Sequence, residues 1–182
     1  AVRRALVNAN NMARDGVEFD YRDGEGQDWI GSWHRPDIPS PNGERHGSSG
    51  VCLTSDGDIV LMGGDNIPWE FPGGRSEGEE DWRATLDREV FEMACSSVEE
   101  ATLRGFIRIE CVHPPQKGLV RVRSLWKATV SVHPWVPQHE ITRRLVVPSE
   151  EALERVEFGR VLGPIYRRWF HEATGYVDTN PS

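Results

Sequence analysis

The chain has 182 residues, 37% of them hydrophobic and 27% charged, which suits one soluble globular domain with an extension and a core of its own. A net charge of −8 excludes general binding to nucleic-acid polymers, and Cys52, Cys95 and Cys111, with no Cys-x-x-Cys spacing, exclude a disulfide framework and a zinc site. With no apolar run long enough for a bilayer and no signal-peptide pattern, the expectation is a cytoplasmic protein with no membrane partner.

In chain order, Val2 to Ala13 is compatible with a short helix, and Asp15 to Arg45 is rich in Gly, Pro, Asp and Ser and reads mainly as loops. Within that arm Trp29, Trp33 and His34 either cover a core edge or stack on a ligand ring, and packing is the commoner use of Trp. Ser49 to Thr54 and Ile59 to Met62, joined by Ser55-Asp56-Gly57-Asp58, form a hairpin pattern. Gly63 to Pro68 is a loop leading to Trp69 and a Gly-Gly turn. A helix is expected from Glu79 or Glu80, because carboxylates favour a helix N-terminus and neither Pro nor Gly interrupts the following turns.

Thr102 to Val112 and Leu119 to Val132 read as strands either side of a turn at Pro114-Pro115-Gln116-Lys117-Gly118. In the second strand Val120, Val122, Trp126, Ala128 and Val130 share a face; Arg121 and Arg123 take the other, either as solvated strand charges or as phosphate contacts. Pro134 to His139 is a loop, followed by Glu140, a strand and Pro148. Ser149 is placed to N-cap a short helix with Ala152 to Val156 inward, and Pro164 opens a last helix, Ile165 to Ala173, that ends at Gly175. Strands alternating with helices imply an α/β domain.

The helix after the Gly-Gly turn carries the chemistry. At 100° per residue Trp82, Leu86, Val90 and Met93 form one stripe facing a core, with Glu89 at its edge and Glu92 at i+3. Two carboxylates so placed either reach one hard divalent cation or make an ordinary solvated acidic face. The six histidines lack a spacing such as His-x3-His and are expected at the surface or as satisfied core groups.

This segment resembles the Nudix hydrolase signature, G-x5-E-x7-R-E-U-x-E-E-x-G-U, in which U is a bulky aliphatic residue. Gly74, Glu80, Arg88, Glu89, Val90 and Glu92 fall in register, and Trp69-Glu-Phe-Pro-Gly-Gly resembles the family's approach to its box. Met93 stands in place of the second Glu of the pair, Cys95 in place of the Gly, and Ser96 in place of the aliphatic residue. The resemblance implies an α/β/α sandwich with a mixed β-sheet and a loop–helix–loop catalytic motif. It divides the chain into a loop-rich extension over 1–45, a Nudix domain over 46–175 and a tail over 176–182.

The resemblance also implies the activity: hydrolysis of a diphosphate bond, in a nucleoside diphosphate linked to another moiety, by water activated with Mg2+ or Mn2+. Glu89, Glu92 and Glu140 would be the metal ligands, with Glu89 near the attacking water. Arg88 and Glu80 would form a supporting ion pair, and Glu140, with Glu110 as runner-up, would be the distant carboxylate that acts as ligand or base. Gly73, Gly74, Arg75 and Trp69 are the candidate substrate contacts; a carbonyl of Gly73 or Gly74 would complete a metal shell, the glycines permitting a turn that a Cβ would strain. A homodimer is expected for the family. Met93 opens an alternative, a Nudix-fold nucleotide-binding or sensor domain without turnover, because a thioether is a poor ligand for magnesium.

Overall fold

Most of the molecule is one sheet, assembled from strands whose apolar residues alternate. The computed structural model describes residues 14–157 and 162–176, so the helix expected over Val2 to Ala13 lies outside the described residues. The strands are β1 (Glu18–Arg22), β2 (Asp28–His34), β3 (Glu44–Leu53), β4 (Ile59–Gly63), β5 (Gly73–Arg75), β6 (Ser96–Cys111), β7 (Val120–Val132) and β8 (Arg143–Val147). The helices are α1 (Trp82–Ala94), α2 (Ser149–Arg155) and α3 (Gly163–Thr174). Strand order is β1-β2-β6-β7-β3-β4-β8, with β5 paired to β3. Pairing is antiparallel except between β3 and β7, which run parallel, so the sheet is mixed.

Residues alternate between two cores across this sheet. On one face α1 lays Leu86, Val90 and Ala94 against Cys52, Val60, Ala128 and Val130. On the other, α2 and α3 bring Leu153, Ile165, Trp169 and Phe170 against Ile59, Leu61 and Leu125. The result is the α/β/α sandwich. Full burial of each large apolar side chain contributes about 1.5–3 kcal/mol, so Leu86 and Val90, both 0% exposed, hold α1 to the sheet.

The arm read as loops is the largest correction. Asp15 to Arg45 contributes β1 and β2, an antiparallel pair that continues the sheet along β6. Asp23, Gly24 and Gly26 form the connecting turn, where Asp23 Oδ1 accepts from the backbone N–H groups of Glu25 and Gln27, while Asp20, Asp28 and Gly31 lie within the strands. The strands themselves alternate: Trp29 and Trp33 are buried, as their packing role predicts, and the indole N–H of Trp29 donates to Asp23 Oδ2 at 2.9 Å.

Smaller shifts have local causes. The strand expected from Thr102 begins at Ser96, directly after α1; two register irregularities, near Glu100 and Gly105, and its outward Glu99 and Glu100 mask the period-two pattern. Ser149 is the first residue of α2 rather than its cap, because Pro148, at ψ 157°, is the last extended residue after β8. The hairpin turn before β4, Pro164 in the first turn of α3 and left-handed Gly175 at its end match expectation. No described helix is long and apolar enough to cross a membrane.

Candidate active site

The loop before α1 is held by its own charges. The helix starts at Trp82, not at Glu79 or Glu80, since Asp81 caps it by accepting from Ala84 N–H at 2.7 Å. Glu80 is thereby free to face Arg88, which donates from Nε to Glu80 Oε1 at 2.5 Å and from Nη2 to Oε2 at 3.1 Å. Thr85 Oγ1 and Glu77 N–H also donate to Glu80 Oε2. The Arg88 guanidinium holds the Glu80 carboxyl down at about 2. From its remaining N–H groups Arg88 reaches Glu89 Oε1 at 2.8 Å, Glu92 Oε2 at 3.1 Å and the Arg75 carbonyl at 2.8 Å. One forked cation therefore ties the loop, the helix and β5 together, the use for which a planar guanidinium is suited.

Glu89 is the chemically exposed member of this group. It is 5% accessible, and burial raises its pKa against the opposing pull of Arg88. Its Oε2 is buried without a hydrogen-bond partner among the described residues. The Gly-Gly turn explains how the carboxylate fits. Neither Gly73 nor Gly74 has a left-handed φ, so the expected conformational role gives way to a spatial one. A Cβ on Gly74 would come within 2.4 Å of the Glu89 carboxylate, and one on Gly73 within 2.4 Å of the Ser48 carbonyl.

Glu89 and Gly74 open onto a cavity of about 640 Å³. Gly73, Arg75 and Glu140 line it as expected, and so does Met93, with Met62 and Ile141 among the apolar part of its wall. Glu140 sits on a tight turn before β8, next to His139 at φ 52°. Glu92 and Trp69 are not among the lining residues; Glu92 stays on Arg88, and Trp69 lies under the Arg143 guanidinium, 4.8 Å from ring centroid to Cζ. Glu110 is on β6 with Arg108 at 3.6 Å, away from the cavity lining.

Other lining residues were left open by the sequence, as Arg123 was between a solvated strand charge and a phosphate contact, or were not singled out at all. Arg123 reaches the cavity from β7 and donates to Ser49 Oγ at 2.8 Å; burial lowers its pKa. Gly47 leaves room for it, since a Cβ there would come within 3.0 Å of Arg123 Nη2 and 2.1 Å of the Gly74 carbonyl. Tyr166 and Trp169 close the wall from α3. The alternation of β7 does set Arg123 opposite Val122; that its face is a cavity rather than solvent depends on β3 and α3, both distant in the chain.

The metal trio of Glu89, Glu92 and Glu140 is not assembled: among the described residues no group of three or more His, Cys, Asp or Glu comes close enough to hold an ion. Arg88 Nη1 lies between Glu89 and Glu92 and draws one oxygen from each, while Glu140 comes from a separate loop. The partnerless, buried Oε2 of Glu89 fits a single hard cation ligated by oxygen.

No family model and no curated protein matches the chain. Solved structures do. A pyrophosphohydrolase from Bacillus subtilis superposes with a TM-score of 0.63 at 18% identity, over 85% of this chain and 97% of its own. A Nudix hydrolase from Nitrosomonas europaea gives 0.55 at 18% identity, over 72% and 91%. The Escherichia coli dihydroneopterin triphosphate pyrophosphohydrolase gives 0.50 at 14% identity, over 70% and 93%. The chain has the Nudix fold.

Proposed function

We propose that the protein hydrolyses a diphosphate bond in a nucleoside diphosphate linked to another moiety, with Glu89 at the reacting centre and a divalent cation, Mg2+ or Mn2+, as cofactor. The observation that carries this reading is the Glu89 carboxylate, which lines the cavity, is fitted against Gly74 and keeps one buried oxygen without a partner among the described residues. A cation bound there would neutralise phosphate charge and make a bound water more acidic. Arg123, fixed by Ser49, binds a phosphoryl oxygen and orients the phosphorus. Water adds its oxygen to that phosphorus while the Glu89 carboxylate accepts its proton, and the bridging P–O bond breaks with its electron pair leaving on the second phosphate. Glu140, across the cavity, is the alternative base. Arg88 and Glu80 touch no substrate in this scheme; they hold the loop against the helix.

A second reading, ligand binding without turnover, is favoured by Met93. Its thioether lines the cavity where the signature places a carboxylate, and three acidic ligands do not converge. The two are separated by a hydrolysis screen over nucleoside diphosphate-linked compounds and nucleoside triphosphates, with magnesium and with manganese, products resolved by chromatography. The hydrolase gives metal-dependent products that vanish in Glu89→Gln. Ligand-dependent thermal stabilisation without product, together with activity gained in Met93→Glu, would establish the binding domain instead.

A further inference from the structure

A second, smaller cavity of about 160 Å³ shares Arg123 and Tyr166 with the first and is lined on its far side by His46, Arg121, Ile107 and Ile109. Its volume equals that of about five liquid waters. The net charge of the chain is −8, yet cationic groups gather here. Among the described residues no carboxylate lies within ion-pair distance of Arg121 or Arg123, and their compensating charges act from farther off, Asp23 on Arg121 and Glu70 and Glu89 on Arg123. Arg121 Nε is buried without a hydrogen-bond partner among the described residues, and its guanidinium is set over the Trp29 ring at 5.3 Å. Burial, then the fields of Arg123, Arg121 and Arg75, hold His46 down at about 4, so its ring is neutral at pH 7. Two part-buried guanidinium groups with free donors and no carboxylate at ion-pair distance are costly unless something anionic joins them.

We infer that this cavity is an oxyanion subsite, in which Arg121 and Arg123 grip one phosphoryl group between them. Planar guanidinium groups match a tetrahedral oxyanion with paired N–H donors, and the neutral His46 ring offers one donor more without adding repulsion. Because Arg123 also faces the first cavity, a ligand can run from Glu89 past Arg123 into the subsite. The substrate then carries a phosphate beyond the diphosphate that is cleaved. That last step rests on the proposed hydrolysis; the subsite itself does not.

The test titrates inorganic orthophosphate into metal-free protein at constant ionic strength, followed by calorimetry and by two-dimensional NMR of the wild type. Saturable binding is expected, with shifts clustered at His46, Arg121, Arg123 and Tyr166. Arg121→Gln should weaken it at least tenfold, Arg121→Lys by a smaller factor, and Arg83→Gln on the exposed side of α1 not at all. Absence of saturable binding, shifts clustered elsewhere, or Arg121→Gln and Arg121→Lys both within twofold of wild type would overturn the subsite. Glu89→Gln separates the two proposals: it should keep phosphate binding while losing hydrolysis. Phosphate binding in a wild type that hydrolyses nothing would sink the hydrolase and leave the subsite standing. If nucleotides bearing an additional phosphate show a KM lowered at least tenfold in wild type but not in Arg121→Gln, the phosphoryl group is the substrate's; phosphate binding without that preference makes it free orthophosphate.

Discussion

Two charge clusters lie on either side of the Gly73–Gly74 turn, and they are built on opposite terms. Around Arg88 one cation meets Glu80, Glu89 and Glu92 at 2.5–3.1 Å, and nearly every polar atom has a partner. Arg121 and Arg123 instead line one cavity with no carboxylate at ion-pair distance among the described residues, with serine and an aromatic face for company. The first cluster contributes to the folded state. The second leaves buried cationic donors unpaired, an arrangement more readily understood as preparation for a ligand than as a source of stability.

Removing charges from each cluster should therefore have opposite consequences. The largest effect belongs to Glu89, the carboxylate of the paired cluster with a buried oxygen that has no partner among the described residues: Glu89→Gln should reduce turnover by about 10²–10⁴-fold, measured as kcat under saturating substrate. Arg88→Met strands Glu80 and Glu89 and should lower unfolding free energy by about 2–3 kcal/mol in urea titrations. Gly74→Ala pushes a methyl into the Glu89 carboxylate and should cost about 1–3 kcal/mol, with activity falling alongside. By contrast Arg121→Gln, with no phosphate present, should leave stability within about 0.5 kcal/mol of wild type, because lost packing on Trp29 is offset by removal of a buried, unpaired N–H donor.

The same contrast has a pH signature. Glu80 is depressed from 4.5 to about 2, so its contribution is complete above 4.5 and is lost as pH falls from there toward 2. His46 is depressed from 6.5 to about 4; the unfolded chain binds the extra proton, so stability is full above 6.5 and declines as pH falls toward 4. Thermal melts across both windows should show two separate slopes. His46→Gln should flatten the slope between pH 4 and 6.5, and saturating phosphate should reduce it in the wild type.

Much of this was legible in the chain itself. The box announced itself through Gly74, Glu80, Arg88 and Glu89 because loop, helix and ion pair lie within one short stretch, where spacing determines contact. The hairpin before β4, the long strand β7 and the Pro-started last helix were legible for the same reason. β1 and β2 were hidden because Gly and Asp are spread through the arm, in the strands (Asp20, Asp28, Gly31) as well as in the turn, although Trp29 and Trp33 already share a face. Arg123 could be assigned a face but not a setting, since Ser49 lies 74 residues away and Tyr166 on another helix. Trp69 and Glu110 show the converse: a residue type suited to the chemistry, near the motif or on a strand end, with its side chain committed to Arg143 or beside Arg108. Cys95 takes the glycine position of the signature and its left-handed conformation as well, at φ 47°, which a side chain occupies at a cost of about 1 kcal/mol.

The parallel pairing of β3 with β7 has a consequence for how the molecule comes into being. Ser48 Oγ and Ser124 Oγ, hydrogen-bonded at 2.7 Å in the middle of that pairing, are separated by 76 positions, and everything between them must be looped out before the two strands meet. Closing so long a loop is entropically demanding and slow relative to forming hairpins. During synthesis the segment carrying Glu89 emerges and can coil into its helix well before β7 exists. Both cavities, which depend on Arg123, arise only when β7 docks beside β3. A ribosome-bound chain halted before Val120 would carry Glu80, Arg88, Glu89 and Glu92 and no place for a phosphate.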